Sequence, residues 1–176
     1  MRPSATPLTW GANVINLSLG LDTYSKALFD AVNYARTKDV LVVASAGNDG
    51  RDNDKTPQYP ASFKLDNVLS VAATDPEDEL AYFSNFGGKT VHLAAPGWQI
   101  PTTDLNHKYY VSDGTSEAAP HVAGAAVILK SLHPQWTATK IRNRLLESVE
   151  KHAHLKEKLV SGGVLNILRA VEGASK

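Results

Sequence analysis

The 176-residue chain contains no cysteine. Disulfides, thiolate metal sites and a cysteine nucleophile are therefore excluded, while the compartment stays open because many exported proteins also lack cysteine. Neither sign of charge is in excess: 18 Lys and Arg balance 18 Asp and Glu. That balance argues against a polyanion partner, since nucleic-acid modules carry a basic face. No apolar run approaches the roughly 20 residues that span a bilayer, so no membrane partner is expected. The opening stretch MRPSATPLTW has one arginine and no apolar core, unlike a secretory signal. Residues 1–9 are expected to be irregular. No G-x-G-x-x-G or Walker loop is present, which speaks against a nucleotide-binding domain and leaves no cofactor to expect.

What is present is an alternation of short apolar runs and amphipathic stretches. NVINLSLG (13–20), VLVVASAG (40–47), NVLSVAAT (67–74) and TVHLAAPG (90–97) read as strands, the first of them buried on both faces. Between the first two, Tyr24, Ala27, Leu28, Ala31, Val32 and Ala35 fall at helical spacing, with Asp22 or Thr23 as the cap. Strand, helix, strand at this spacing predicts parallel pairing. Further helices are expected after Ser116, after Thr137 (with Ile141, Leu145 and Val149 on one side) and near Asn166. The fold class is α/β: three layers, a mostly parallel sheet with helices on both faces.

The segment SDGTSEAAPHVAGAAVILKSLHP (112–134) places a serine where a polar turn runs into an apolar helix. Pro120 lacks a backbone donor and belongs in a helix's first turn, so the helix should start at Ser116 or Glu117. The Ser116 hydroxyl then sits among free N–H groups at the positive end of the helix dipole. Its apolar body, VAGAAVIL, is expected to be central and buried. Asn48, in SAGNDG, follows a buried strand, at the edge where ligands gather in parallel sheets. Taken singly, Ser116 could be an ordinary N-cap and Asn48 a turn residue.

Together these stretches resemble the subtilisin-like serine proteases, the subtilases. GTSEAAPHVAG (114–124) is similar to their nucleophile motif, NVINLSLG to their substrate-binding strand and LVVASAGNDG to the strand with the oxyanion asparagine. YPASF (59–63), NVLSVAAT, AYFSNFG (81–87) and AAPG (94–97) follow in the family's order, and residues 10–176 are expected to form part of a subtilase catalytic domain. The resemblance implies that Ser116 is the nucleophile. It implies that Asn48 and the Ser116 N–H are the oxyanion donors, with Thr115 in support. Ser18, Leu19 and Gly20 would pair with an extended peptide or protein substrate. Ser45, Ala46 and Gly47 would wall the specificity pocket, with Gln58 near its floor. Leu19 should be buried. No metal ligands are implied: His92 falls where some relatives place a calcium-binding aspartate, and the acidic NDGRDND (48–54) reads as a solvated turn.

A Ser-His-Asp triad also needs a base and an orienting carboxylate. In subtilases both precede the serine, in motifs that these 176 residues do not contain. None of His92, His107, His121, His133, His152 and His154 has that context. The chain is therefore expected to be a truncated domain, inactive alone, and completed by a missing N-terminal half if at all. Its apolar first strand should be an exposed, sticky edge. The parent protein would be exported by analogy with the family. Glu117, where relatives carry a small or sulfur-containing residue, is a carboxylate that would oppose a developing oxyanion unless it points to solvent or stays protonated. It supports a second reading, a non-catalytic peptide-binding module on the same fold.

Overall fold

The computed structural model describes residues 11–173, so the segment 1–9 lies outside the described residues. The chain runs β1 (Val14–Leu17), α1 (Lys26–Thr37), β2 (Leu41–Ser45), β3 (Val68–Thr74), β4 (Leu93–Pro96). It continues through β5 (Ile100–Asp104), β6 (Lys108–Ser112), α2 (Thr115–Leu132), α3 (Ala138–Glu147), β7 (Glu150–Lys151), β8 (Gly163–Val164) and α4 (Ile167–Glu172). Six strands form one sheet in the order β1-β2-β3-β4-β8-β7. All neighbours are parallel except the short β7–β8 pair. The three-layer α/β architecture read from the sequence is thus present.

The layers follow from strand alternation. Leu41, Val43, Leu69, Val71 and Leu93 point to the face covered by α2 and α3. Val42 and Val68 point to the other face, against Val32 and Ala35 of α1 and Phe63. Leu41, Leu69 and Leu93 are wholly buried, and each such side chain contributes roughly 1.5–3 kcal/mol.

Several expectations are corrected. Helix α1 is capped by Ser25, whose hydroxyl accepts from the Leu28 N–H, and not by Asp22 or Thr23. The cause is upstream. Leu21 pairs with Tyr59 through two backbone bonds, and the Tyr24 ring meets Tyr59 and Phe63 edge-on. These contacts hold 21–24 out of the helix, so the inner stripe is Leu28, Phe29, Val32 and Ala35. Strand β1 is not buried on both faces: it lies at the sheet edge, Asn16 is exposed and Leu19 is 48% exposed. Helix α2 is buried on one side only, with Val127, Ile128 and Leu132 exposed. It begins at Thr115, which leaves Pro120 inside its second turn. Pro120 has no N–H to give to the Ser116 carbonyl, and that carbonyl instead accepts from the Ser18 hydroxyl at 2.7 Å.

The hairpin of β5 and β6 was not anticipated. Pro101 speaks against a strand, but an edge ribbon tolerates it. The ribbon turns at Asn106 and His107, both with left-handed backbone.

His92 carries a testable consequence. It is buried, and its Nδ1 accepts from the Ser70 N–H at 2.9 Å. Burial, and secondly the nearby positive charge of Arg142, push its pKa from 6.5 down to about 3. The folded protein therefore keeps it neutral where the unfolded chain takes up a proton. Its contribution is complete above pH 6.5 and is lost as the pH falls toward 3, by about 1.4 kcal/mol per unit. Urea midpoints measured from pH 7 to 4.5 should fall more steeply for the wild type than for His92→Gln, whose amide oxygen can still accept from Ser70. Parallel curves would contradict this.

Candidate active site

The C-terminal ends of β1, β2 and β4 and the N-terminus of α2 meet at one edge of the sheet. Residues 45–48 leave β2 and pass beside Thr115, which is fully buried. The Thr115 N–H and hydroxyl both donate to Asn48 Oδ1, at 2.9 and 2.8 Å. The same hydroxyl accepts from the Gly47 N–H at 3.1 Å. With its oxygen held twice, the Asn48 carboxamide turns Nδ2 away from Thr115. A Cβ built on Gly114 would lie 3.2 Å from Asn48 Nδ2 and 3.5 Å from the Ser116 nitrogen. Ser116 is the second residue of α2, so its N–H has no acceptor within the helix. Both nitrogens therefore lie within 3.5 Å of one position beside Gly114.

The loop carrying Asn48 is fixed by two buried asparagines to which the sequence reading gave no role. Asn85 Oδ1 accepts from the N–H groups of Asp49 and Arg51. Asn85 Nδ2 donates to the Ala46 carbonyl, Asn53 Oδ1 and Gln58 Oε1. Asn53 Nδ2 donates to the same Ala46 carbonyl at 2.8 Å. The signal was present in AYFSNFG, but hydrophobic periodicity does not reveal a buried amide.

Ser18, Leu19 and Gly20 continue β1 along the exposed edge. Ser45 is buried, with its hydroxyl 3.5 Å from the carbonyls of Leu17 and Leu19. Ala46 and Gly47 are also buried, and the Gln58 side chain lies against both Gly20 and Gly47. A side chain at Gly20 or Gly47 would collide with the Gln58 amide, and Gly47 has a left-handed backbone besides. The structure thus brings Ser18, Leu19, Gly20, Ser45, Ala46, Gly47, Asn48, Gln58 and Ser116 to one end of the sheet, with Ser45, Ala46 and Gly47 buried behind the exposed residues. Glu117 reaches back over Gly114, and its Oε1 accepts from the Ser112 hydroxyl at 2.8 Å.

The histidines are placed elsewhere. His121 Nδ1 contacts the Glu117 carbonyl, and His133 stacks on Trp136. His152 and His154 face Asp78 and Glu79. His107 lies in the hairpin turn. Among the described residues no histidine hydrogen-bonds the Ser116 hydroxyl.

The comparisons with known proteins agree with one another. A profile of the subtilase family matches residues 5–168. A thermophilic serine proteinase of Bacillus sp. (strain AK1) is 49% identical over 121 residues, covering 69% of this chain and 29% of its own. Subtilisin BL of Lederbergia lenta is 41% identical over 145 residues, covering 80% and 52%. The solved prenylagaramide maturation protease PagA superposes with a TM-score of 0.83 at 31% identity, covering 94% of this chain and 63% of that one. The chain thus spans about a third to a half of the length of these two curated relatives.

Thr115 is the residue on which this geometry turns. Thr115→Val strands the buried Gly47 N–H and frees one bond to Asn48, which should cost about 1–3 kcal/mol. The urea midpoint should drop at unchanged m-value. Thr115→Ser should restore it, and an equal loss in both variants would contradict the hydroxyl's role.

Proposed function

The chain belongs to the subtilase family of serine proteases, and we propose that it carries the nucleophile, oxyanion and substrate-strand part of a serine endopeptidase site. In this reading an extended peptide lies along residues 18–20 and offers its carbonyl carbon to the Ser116 hydroxyl. As the bond forms, negative charge grows on the carbonyl oxygen. The Ser116 N–H and Asn48 Nδ2 receive it. Removing one such donor costs roughly a hundred- to thousand-fold in rate, a magnitude known for subtilisin itself. The serine proton passes to a base, which gives it to the amine as the carbon–nitrogen bond breaks, and water later releases the acyl group and restores the hydroxyl.

The observation that supports this reading is the pair of bonds from Thr115 that holds Asn48 Oδ1, with Asn48 Nδ2 and the Ser116 nitrogen both close to Gly114. The base and its orienting carboxylate are assigned to a segment outside these 176 residues. Two features support this: the outer edge of β1, unpaired among the described residues, and the exposed apolar Val127 and Ile128 of α2. Without that segment Ser116 stays protonated and weakly nucleophilic, because triad members act as a unit.

The second reading, a peptide-binding module without turnover, is favoured by one observation. The Glu117 carboxylate lies against Gly114, close to which Asn48 Nδ2 and the Ser116 nitrogen also lie.

A fluorophosphonate probe separates the two. The chain mixed with a subtilase N-terminal half, bearing the aspartate and histidine motifs, should label at Ser116. The chain alone and Ser116→Ala should not. Failure of the mixture to label, although the two pieces associate, would leave the binding module. A further expectation concerns substrate choice. Gln58 fills the gap between 18–20 and 45–47, so the side chain before the scissile bond should be small. Gln58→Gly should shift binding from alanine toward phenylalanine peptides by about tenfold, the worth of one or two methylenes. An unchanged ratio would show that the gap does not receive that side chain.

A further inference from the structure

Glu117 is the feature that the proposed chemistry does not use. It is the third residue of α2, where a carboxylate is favoured by the helix dipole and by free N–H groups. A freely solvated carboxylate would need no particular neighbour. Here the Ser112 hydroxyl, at the end of β6, donates to Oε1 at 2.8 Å. That bond fixes the side chain back along the turn, over Gly114. A Cβ on Gly114 would lie 2.6 Å from Glu117 Oε2. The Gly114 backbone is extended, at φ 163°, so conformation does not demand glycine there. A side chain there would instead have to displace the Glu117 carboxylate.

The same Gly114 position lies 3.2 Å from Asn48 Nδ2 and 3.5 Å from the Ser116 nitrogen. One carboxylate oxygen and the two donors of the proposed oxyanion pair therefore cluster around Gly114, and a ligand oxygen bound by those donors enters the space next to the carboxylate. An oxygen that enters it as part of a neutral amide meets the donors at little electrostatic cost. An oxygen that enters with a full negative charge meets a second negative charge at close range. A peptide ending in a free carboxylate, the form of a cleaved product, is the ligand most affected.

We infer that Glu117, pinned by Ser112, is a specificity-determining residue that admits peptide amides and turns away peptides ending in a carboxylate. The inference rests on the peptide-binding reading of the site, and it needs no catalytic base. It also links the exposed hairpin to the site, because Ser112 closes the ribbon and holds the carboxylate in place.

The test is a binding measurement on the full 176-residue chain. Two fluorescein-labelled peptides of one sequence, one ending in a carboxylate and one in a primary amide, are titrated by fluorescence anisotropy. The wild type should prefer the amide. Glu117→Gln, which keeps an acceptor for Ser112, should raise affinity for the carboxylate peptide about tenfold and leave the amide peptide within about twofold. Ser112→Ala, which keeps the charge but frees it, should move in the same direction by a smaller factor. The carboxylate-to-amide ratio staying at its wild-type value in Glu117→Gln would overturn the inference. So would an equal change for both peptides. If neither peptide binds the wild type or either variant, the peptide-binding reading of residues 18–20 falls, and this inference falls with it.

Discussion

One buried hydroxyl organises the site. Thr115 Oγ1 accepts from the Gly47 N–H and donates to Asn48 Oδ1, while the Thr115 N–H donates to that same oxygen. An amide has two ends, and fixing the oxygen decides where the nitrogen goes. These bonds join the loop after β2 to the first turn of α2, two parts of the chain separated by 67 residues. In a fully buried position such bonds are stronger than in water and costly to leave unmade.

The surrounding structure keeps that junction in place. Parallel strands bring their C-terminal ends to one edge, so residues 18–20 and 45–48 lie side by side. Asn85 and Asn53 stitch the loop from below through the shared Ala46 carbonyl. Pro120 contributes by omission: the carbonyl it leaves free becomes the acceptor for Ser18 and ties β1 to α2. Each tie is local, yet together they align residues 18–20, Asn48 and Ser116. Preorganised donors of this kind require no rearrangement when charge develops.

Much of this was legible in the sequence. The buried strands of the parallel sheet announced themselves as apolar runs, and Thr137 and Asn166 cap their helices as their position suggests. The order of the short motifs identified the family. What was illegible depended on neighbours. Leu19 and the outer face of α2 read as buried because apolar residues usually are, but nothing described here covers them. The cap of α1 moved to Ser25 because Tyr24 packs on residues 35 and 39 positions further along the chain. The hairpin was hidden by Pro101 and by polar alternation that suits a loop equally well. Asn85 has no periodic signature at all, since its role lies in bonds made by a single buried amide.

The central claim is that Asn48 and the Ser116 N–H point at one place. The most direct measurement is a crystal structure of the chain associated with a subtilase N-terminal half that bears the aspartate and histidine motifs, with a peptide boronate bonded to Ser116, where one boron-bound oxygen mimics the oxyanion. That oxygen is expected within hydrogen-bond distance of both Asn48 Nδ2 and the Ser116 nitrogen, with Thr115 still holding Asn48 Oδ1. A bound boronate whose oxygens all face solvent, or an Asn48 side chain turned away from Thr115, would contradict the account.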